Sequence, residues 1–369
     1  MAQPDPLSLQ GGDPAAKRCM EASAEENSPN KKQKLASVPV IDLSPFLQEP
    51  STDADCDKVA AAVAEACEEV GFFVAVGHGI DPSLMKDCAI AGKAFFALPE
   101  EKKALCAANG RAYGFFPADS EALGYDANVE KRPDLREAFS MGPQEPLPPP
   151  GSPEAPDPSE VVDFCYQETP WPQDEKFREV MVRYYEELGN LADGILKIFA
   201  RALKVDADFF LSKTRHHASS LRVIHYPKLM AEPLPGQMRC GAHSDIATIT
   251  ILWQDVHGGL EVLPRSCKSW MEVRCPEDGL IVNLGDLFMR WTNDRWLSTP
   301  HRVLPPPLHD GRLNVPRISM PYFQILNSDA DVSCIKSCLI DGEKPKYDAI
   351  TQGRDLMAHF KRWGRNRSD

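Results

Sequence analysis

Gly241-Ala242-His243-Ser244-Asp245, running into Ile246-Ala247-Thr248-Ile249-Thr250-Ile251-Leu252-Trp253, is the stretch that decides the fold of this chain. Its second half is rich in Ile and Thr and reads as a strand. In extended chain, residues two apart face the same side, so the His243 imidazole and the Asp245 carboxylate can share one ion. A third ligand must then come from another strand. His301, in Ser298-Thr299-Pro300-His301-Arg302-Val303, is the candidate. Two His and one carboxylate on one face of an octahedron leave three positions free, an arrangement suited to non-haem iron(II). Zinc hydrolases also use His and carboxylate ligands, with one free position and a general base. The ligand set alone therefore leaves both metals open. His78, His216, His217, His257, His309 and His359 lie among polar or turn residues and read as surface or structural histidines.

Further along, Pro316-Arg317-Ile318-Ser319 places Arg317 and Ser319 two apart on another strand, again facing one way. A guanidinium fork matches a carboxylate with two charge-assisted hydrogen bonds, and a hydroxyl adds a third. An arginine inside a β-structure implies either an anionic ligand or a buried acidic partner.

From residue 219 onward, short Val-, Ile- and aromatic-rich runs alternate with Gly, Pro and Asp turns: 220–226, 246–253, 259–263, 270–273, 279–284, 301–304 and 317–325. Seven short strands at such spacing predict a β-sandwich or barrel. Before them the grammar is mixed. Val38–Asp42 and Phe72–Val76 read as strands, with a helix ending at Gly71 between them. Helices are expected at 82–96 and 99–107, and a long amphipathic one at 174–203 carries Phe177, Met181, Tyr184, Leu188, Leu191 and Ile195 on one face. The segment 143–173 holds ten prolines and reads as a surface belt, and 347–363 reads as a final helix. Residues 1–36 have few large apolar side chains and are expected to be disordered. Lys17-Arg18 and Lys31-Lys32-Gln33-Lys34 in this tail have the spacing of a bipartite nuclear import signal, or belong to a solvated charged tail.

The chain has 369 residues and a net charge of −13, which argues against broad binding to nucleic acid or anionic membrane. Eleven scattered cysteines and the lack of a secretory signal at the start point to a reduced, intracellular setting. Cys334 and Cys338 are a weak zinc motif, having no second Cys or His pair nearby. No apolar run approaches the roughly 20 residues of a membrane helix.

The order His-x-Asp, His, Arg-x-Ser, together with Gly71-Phe72-Phe73, Val76-Gly77-His78-Gly79, Asp134-Leu135-Arg136-Glu137, His225-Tyr226-Pro227, Gly258–Val262, Asn283-Leu284-Gly285-Asp286 and Arg290-Trp291-Thr292-Asn293, closely resembles the isopenicillin N synthase-like branch of the 2-oxoglutarate/iron(II)-dependent dioxygenases. The resemblance spans about 38–355. It implies an α+β fold, mainly β: a double-stranded β-helix, or jelly roll, with a helical N-terminal region packed against it. The implied organisation is a tail over 1–36, an N-terminal helical and strand region over 37–203, the jelly-roll core over 204–345, and a C-terminal helix and tail over 346–369. It also implies iron(II) on His243, Asp245 and His301, and 2-oxoglutarate on Arg317 and Ser319 with help from Tyr226. Dioxygen would be the oxidant and ascorbate an accessory reductant. The reaction implied is oxidation, by default hydroxylation, of a small organic metabolite with release of succinate and carbon dioxide, by a cytoplasmic or nuclear monomer. Two alternatives remain: an iron oxidase of the same scaffold that does not use 2-oxoglutarate, and a non-catalytic nuclear or regulatory binding protein. The chain departs from the family pattern in three places. Arg317 comes sixteen positions after His301, several more than usual, Ile224 precedes His-Tyr-Pro where a polar residue is common, and Asp294 follows Asn293 where glycine is usual. None of these removes a ligand. Trp253, Arg290, Trp291, Tyr322 and Phe323 are candidates to border the pocket, with packing as their alternative role.

Overall fold

The computed structural model describes residues 37–123, 132–149, 152, 160–311 and 314–364. The tail 1–36, with both basic clusters, lies outside the described residues. The chain opens with strand β1 (Val40–Asp42), then α1 (Ser44–Leu47), α2 (Asp53–Glu69) and β2 (Phe72–Val76). Helix α2 is capped by Thr52, whose Oγ1 accepts from the Asp55 N–H at 3.2 Å. Gly71, at φ +74°, ends it where a side chain would meet the Leu297 carbonyl at 2.2 Å. α3 (Pro82–Phe96) and α4 (Glu100–Ala104) follow, then β3 (Gly114–Phe116), β4 (Glu137–Met141) and α5 (Glu160–Cys165). Pro99 caps α4 from outside it, and the helix ends earlier than the expected 107. α5 shows that the proline-rich belt is not wholly loop.

The long helix α6 (Glu175–Leu203) begins at Asp174, which accepts from the Phe177 N–H at 3.2 Å, and ends at Lys204 in the left-handed region. The remaining strands are β5 (Ser220–Tyr226), β6 (Cys240–His243), β7 (Ile249–Gln254), β8 (Leu260–Val262), β9 (Met271–Glu272), β10 (Leu280–Leu284), β11 (His301–Val303), β12 (Arg317–Gln324), β13 (Asp331–Val332) and β14 (Ile350–Thr351). α7 (Asp286–Trp291) follows β10, and α8 (Gln352–Gly364) closes the described chain. α8 starts later than the expected 347 because β14 occupies 350–351.

β13 and β14 pair in a small sheet of their own, and the other strands form an eight-stranded sheet, β1-β2-β10-β7-β12-β5-β4-β3, and a four-stranded sheet, β6-β11-β8-β9. Together these two larger sheets make the jelly roll. The four strands from before residue 204 widen both edges of the large sheet, so the segment 37–203 shares that sheet with 204–345. Val38, Phe72, Val74, Ala138, Ile224, Tyr226, Cys240, Leu260, Val262, Ile281 and Val303 fill one apolar cluster drawn from both sheets. The other face of the large sheet contributes Val223, Ile251, Met320 and Tyr322 to a core with Tyr184, Leu188, Leu191, Ile195 and Ile198 of α6. Each such fully buried side chain contributes roughly 1.5–3 kcal/mol.

One strand differs from expectation at the decisive stretch. His243 ends a separate strand, β6, and Asp245 lies in the link to β7, which starts at Ile249. The link is not free to pair as a strand because other elements use its backbone. The Asp245 and Thr248 carbonyls accept from the Asp286 and Gly285 N–H groups, and the Thr248 N–H donates to Gln324.

Candidate active site

β6 pairs with β11 in antiparallel register, His243 opposite His301. The two rings lie 4.3 Å apart at 53°, and Phe72 packs edge-on against His301. Each histidine is oriented from behind. His243 Nδ1 lies 2.8 Å from the Gly241 carbonyl and His301 Nδ1 lies 3.2 Å from the Thr299 carbonyl. A carbonyl can only accept, so Nδ1 carries the proton in both rings and each Nε2 presents a lone pair. Both Nε2 atoms face Asp245 Oδ1 at 3.7 Å. The second oxygen of Asp245 is already taken, accepting from Thr250 Oγ1 at 2.6 Å and Asn283 Nδ2 at 2.7 Å.

Three acceptor atoms turned towards one another repel unless a cation lies between them. Among the described residues, His243, Asp245 and His301 form the one group of three such side chains with ligand atoms within 4.8 Å of each other. The protonation states agree with ligation. Burial, reinforced by the neighbouring His243, lowers the His301 pKa to about 4, so its ring is neutral near pH 7. Burial alone would raise the pKa of Asp245, but His301, His243 and the hydrogen bonds from Asn283 and Thr250 outweigh it and hold the carboxyl below its ordinary value.

On the large sheet β12 pairs with β5, Arg317 opposite Tyr226 and Ser319 opposite Ile224. The three expected residues come together there. Ser319 Oγ lies 3.5 Å from Tyr226 Oη, and the Arg317 guanidinium stands 4.7 Å from the centre of the Tyr226 ring. Arg317 is 1% exposed. Its Nη2 donates to Gln254 Oε1 at 2.7 Å, while Nε and Nη1 are buried without a partner. Among the described residues no carboxylate forms an ion pair with it, so the salt-bridge alternative from the sequence is not realised. A buried cation with two idle donors calls for an anion.

The side chains nominated as pocket neighbours divide by strand alternation. Tyr322 lies an odd number of residues from Arg317 and faces the helical core, as do Trp253 and Trp291. Arg290 reaches outward to the Asp348 carbonyl and the Tyr347 ring. Phe323 is on the Arg317 face and packs against the apolar cluster that holds Ala218, Ala247 and Ile325. Thr250, Gln254 and Arg239 were not singled out from the sequence, and Asn283 and Asp134 entered only as parts of motifs. Asp134 Oδ1 accepts from the Gly241 N–H at 3.0 Å, which anchors the residue whose carbonyl orients His243. Around Asp134, Arg136 and Arg222 converge on Glu121. Alternation could have revealed Thr250 and Asn283 only with the β7–β10 register in hand, which sets them opposite each other.

Residues 38–174 match the family described as the N-terminal region of non-haem dioxygenases in morphine synthesis. Residues 218–325 match the 2OG-Fe(II) oxygenase superfamily. The chain is 33% identical over 323 residues to the 2-oxoglutarate-Fe(II) type oxidoreductase hxnY of Emericella nidulans, covering 85% of this chain and 86% of that protein. It is 35% identical over 283 residues to the 2-oxoglutarate-dependent dioxygenase citB of Monascus ruber, covering 74% and 82%. Among solved structures it resembles a full-length Neurospora crassa protein in complex with α-ketoglutarate, with TM-score 0.76 and 27% identity over 90% of this chain and 98% of that one. The chain therefore belongs to the 2-oxoglutarate/iron(II)-dependent oxygenase superfamily and is a dioxygenase that uses iron(II), 2-oxoglutarate and dioxygen.

Proposed function

We propose that His243, Asp245 and His301 hold the iron, and that Arg317, Ser319 and Tyr226 receive the distal carboxylate of 2-oxoglutarate. The observation that carries this reading is the buried Arg317, with two unpartnered guanidinium nitrogens in the same jelly roll as three convergent acceptor atoms. Bound together, iron and 2-oxoglutarate would activate dioxygen, the oxidant: 2-oxoglutarate would give up two electrons and leave as succinate and carbon dioxide, with one oxygen atom in the succinate and the other in the product. The protein's part is placement. Thr250 and Asn283 occupy one oxygen of Asp245 and leave the other for metal. The Gly241 and Thr299 carbonyls hold Nδ1 of both imidazoles and so turn each Nε2 towards the metal position. Arg317 neutralises the far end of the cosubstrate, Ser319 and Tyr226 add hydroxyl donors, and the apolar wall of Phe72, Ile224 and Val262 excludes water.

The substrate we propose is a small organic metabolite, hydroxylated at carbon. The same Neurospora crassa protein has been solved with α-ketoglutarate and thymine, which supports a small-molecule substrate for this scaffold. The test is a metabolite screen with anaerobically iron-loaded protein, reading succinate after oxygen is admitted. Substrate-stimulated succinate in equal amount to hydroxylated product is the expected result. Oxidised product without succinate would assign the chain to an oxidase that does not use 2-oxoglutarate. We also propose a monomer, to be tested by light scattering on the eluted protein. For localisation we propose the cytoplasm, with a nuclear fraction directed by Lys17-Arg18 and Lys31–Lys34. A fluorescent fusion in which both clusters are replaced by alanine should then lose its nuclear signal.

A further inference from the structure

Arg239 lies one residue before β6 and four before His243, and it is 3% exposed. Its Nη2 donates to the Pro227 carbonyl at 3.2 Å and to the Val315 carbonyl at 3.0 Å. Pro227 follows Tyr226 at the end of β5, and Val315 stands two residues before Arg317 at the start of β12. Tyr226 and Arg317 are paired across those strands. One guanidinium thus ties the chain entering the small sheet, which carries His243, to the terminal rung of the large sheet, which carries two residues of the cosubstrate pocket.

The electrostatics make this an unusual tie. Among the described residues Arg239 has no ion-paired carboxylate, and its Nε is buried without a partner. Its guanidinium lies 5.8 Å from the centre of the same Tyr226 ring that Arg317 approaches at 4.7 Å. Burial first, and the charge of Arg317 second, lower its pKa to about 10. Asp255 contributes a favourable field, but its two oxygens are used by the Ile318 and His257 N–H groups. A crosslink of carbonyls alone needs no charge, since a neutral amide side chain could donate to them. A second buried cation beside Arg317 is costly in the free protein and is offset when an anion arrives.

We propose that Arg239 is a positioning residue for 2-oxoglutarate: it sets the separation between the iron triad and the Tyr226–Arg317 rung, and adds a second positive charge at the distal end of the pocket. This rests on the assignment of that pocket to 2-oxoglutarate. A 2-oxo dicarboxylic acid must span from metal to Arg317, so fixing the two ends relative to each other selects its chain length. Losing the tie weakens 2-oxoglutarate binding and relaxes the preference over an acid one methylene longer.

The test is calorimetric titration of 2-oxoglutarate and of 2-oxoadipate into full-length Mn(II)-loaded protein, for wild type, Arg239→Met and Arg239→Lys, with the Mn(II) affinity and melting temperature of each recorded. Arg239→Met is expected to weaken 2-oxoglutarate binding about tenfold or more while weakening 2-oxoadipate less. Arg239→Lys, which keeps the charge but not the fork, should recover part of the affinity and little of the discrimination. Unchanged affinity and discrimination in Arg239→Met would overturn the proposal. So would parallel losses in both acids, Mn(II) affinity and melting temperature, which would show a structural crosslink only. A wild-type protein that binds Mn(II) but no 2-oxo acid would instead overturn the pocket assignment itself.

Discussion

Thr250 offers a sharp test of how the metal site is held, because its hydroxyl can be removed with almost no change of volume. Thr250 is 3% exposed, and its Oγ1 donates to Asp245 Oδ2 at 2.6 Å. Asn283, opposite it on β10, gives the same oxygen its second bond at 2.7 Å. Two donors on Oδ2 fix the carboxylate torsion, so Oδ1 faces the two imidazoles without further ordering. In Thr250→Val one donor is lost and the carboxylate regains rotation. A hydrogen bond to a charged group contributes about 1.5–3 kcal/mol, and removing an outer partner of a metal ligand costs roughly 10–100-fold in metal affinity. The remaining Asn283 bond places the expected loss at the lower end, about tenfold. Anaerobic Fe(II) titration, with Mn(II) as an oxygen-stable control, measures it. Thr250→Ser keeps the hydroxyl and should bind metal within about threefold of wild type. Equal metal affinity in Thr250→Val, or a loss in Thr250→Ser as large as in Thr250→Val, would refute the orienting role.

Three further outcomes follow from the same geometry. Gly285 packs so closely on the link between β6 and β7 that a Cβ there would lie 1.7 Å from the Ala247 carbonyl. Gly285→Ala should therefore lower the melting temperature by several degrees and weaken metal binding as Asp245 is displaced. Arg317→Met removes the buried cation and should raise the KM for 2-oxoglutarate by about 100-fold, with iron affinity within a few-fold of wild type, checked by succinate assays at graded cosubstrate. Glu137 accepts from Lys103 at 2.6 Å and pairs with His225 at 2.8 Å. Burial opposes ionisation of Glu137, but the bonds from His225 and Lys103 prevail and hold it below its ordinary value of 4.5. Its contribution to stability is therefore fully present above about pH 4.5 and is lost as pH falls through the lower folded value. Glu137→Gln should cost about 3 kcal/mol at pH 7, a loss that shrinks in urea denaturation as pH falls below the ordinary value of 4.5.

The cluster of His243, Asp245 and His301 was legible from residue type and order, and the Arg317–Ser319 pair from its spacing. Period-two spacing puts Arg317 and Ser319 on one face whatever the rest of the sheet does. The same spacing puts Phe323 and Tyr322 on opposite faces, so only one of these two candidates can share the face of Arg317. Trp253 and Trp291 were ambiguous because an aromatic on a strand or short helix suits either a pocket or a core. β6 was hidden because Cys240-Gly241-Ala242-His243 lacks β-branched residues, and its extended form comes from pairing with β11 rather than from propensity. Thr250, Asn283, Gln254 and Arg239 could not be found from one sequence. Their roles exist only once β7 lies between β10 and β12 and the chain before β6 reaches the end of β5. Of the N-terminal strands, β1 and β2 were visible as apolar runs while β3 and β4 were not, and the place of all four at the edges of the large sheet depends on long-range pairing that no local pattern encodes.

The central claim is that one iron(II) sits on His243, Asp245 and His301 and takes a single 2-oxoglutarate whose far carboxylate lies on Arg317. The most direct measurement is the visible charge-transfer absorption of a 2-oxo acid chelated to iron(II), followed anaerobically as 2-oxoglutarate is added to iron-loaded protein. Wild type should develop the band and saturate at one equivalent of each per chain. Arg317→Met should develop it only at much higher cosubstrate, and His243→Ala not at all. An undiminished band in His243→Ala, or no band in wild-type protein that has bound iron, would contradict it.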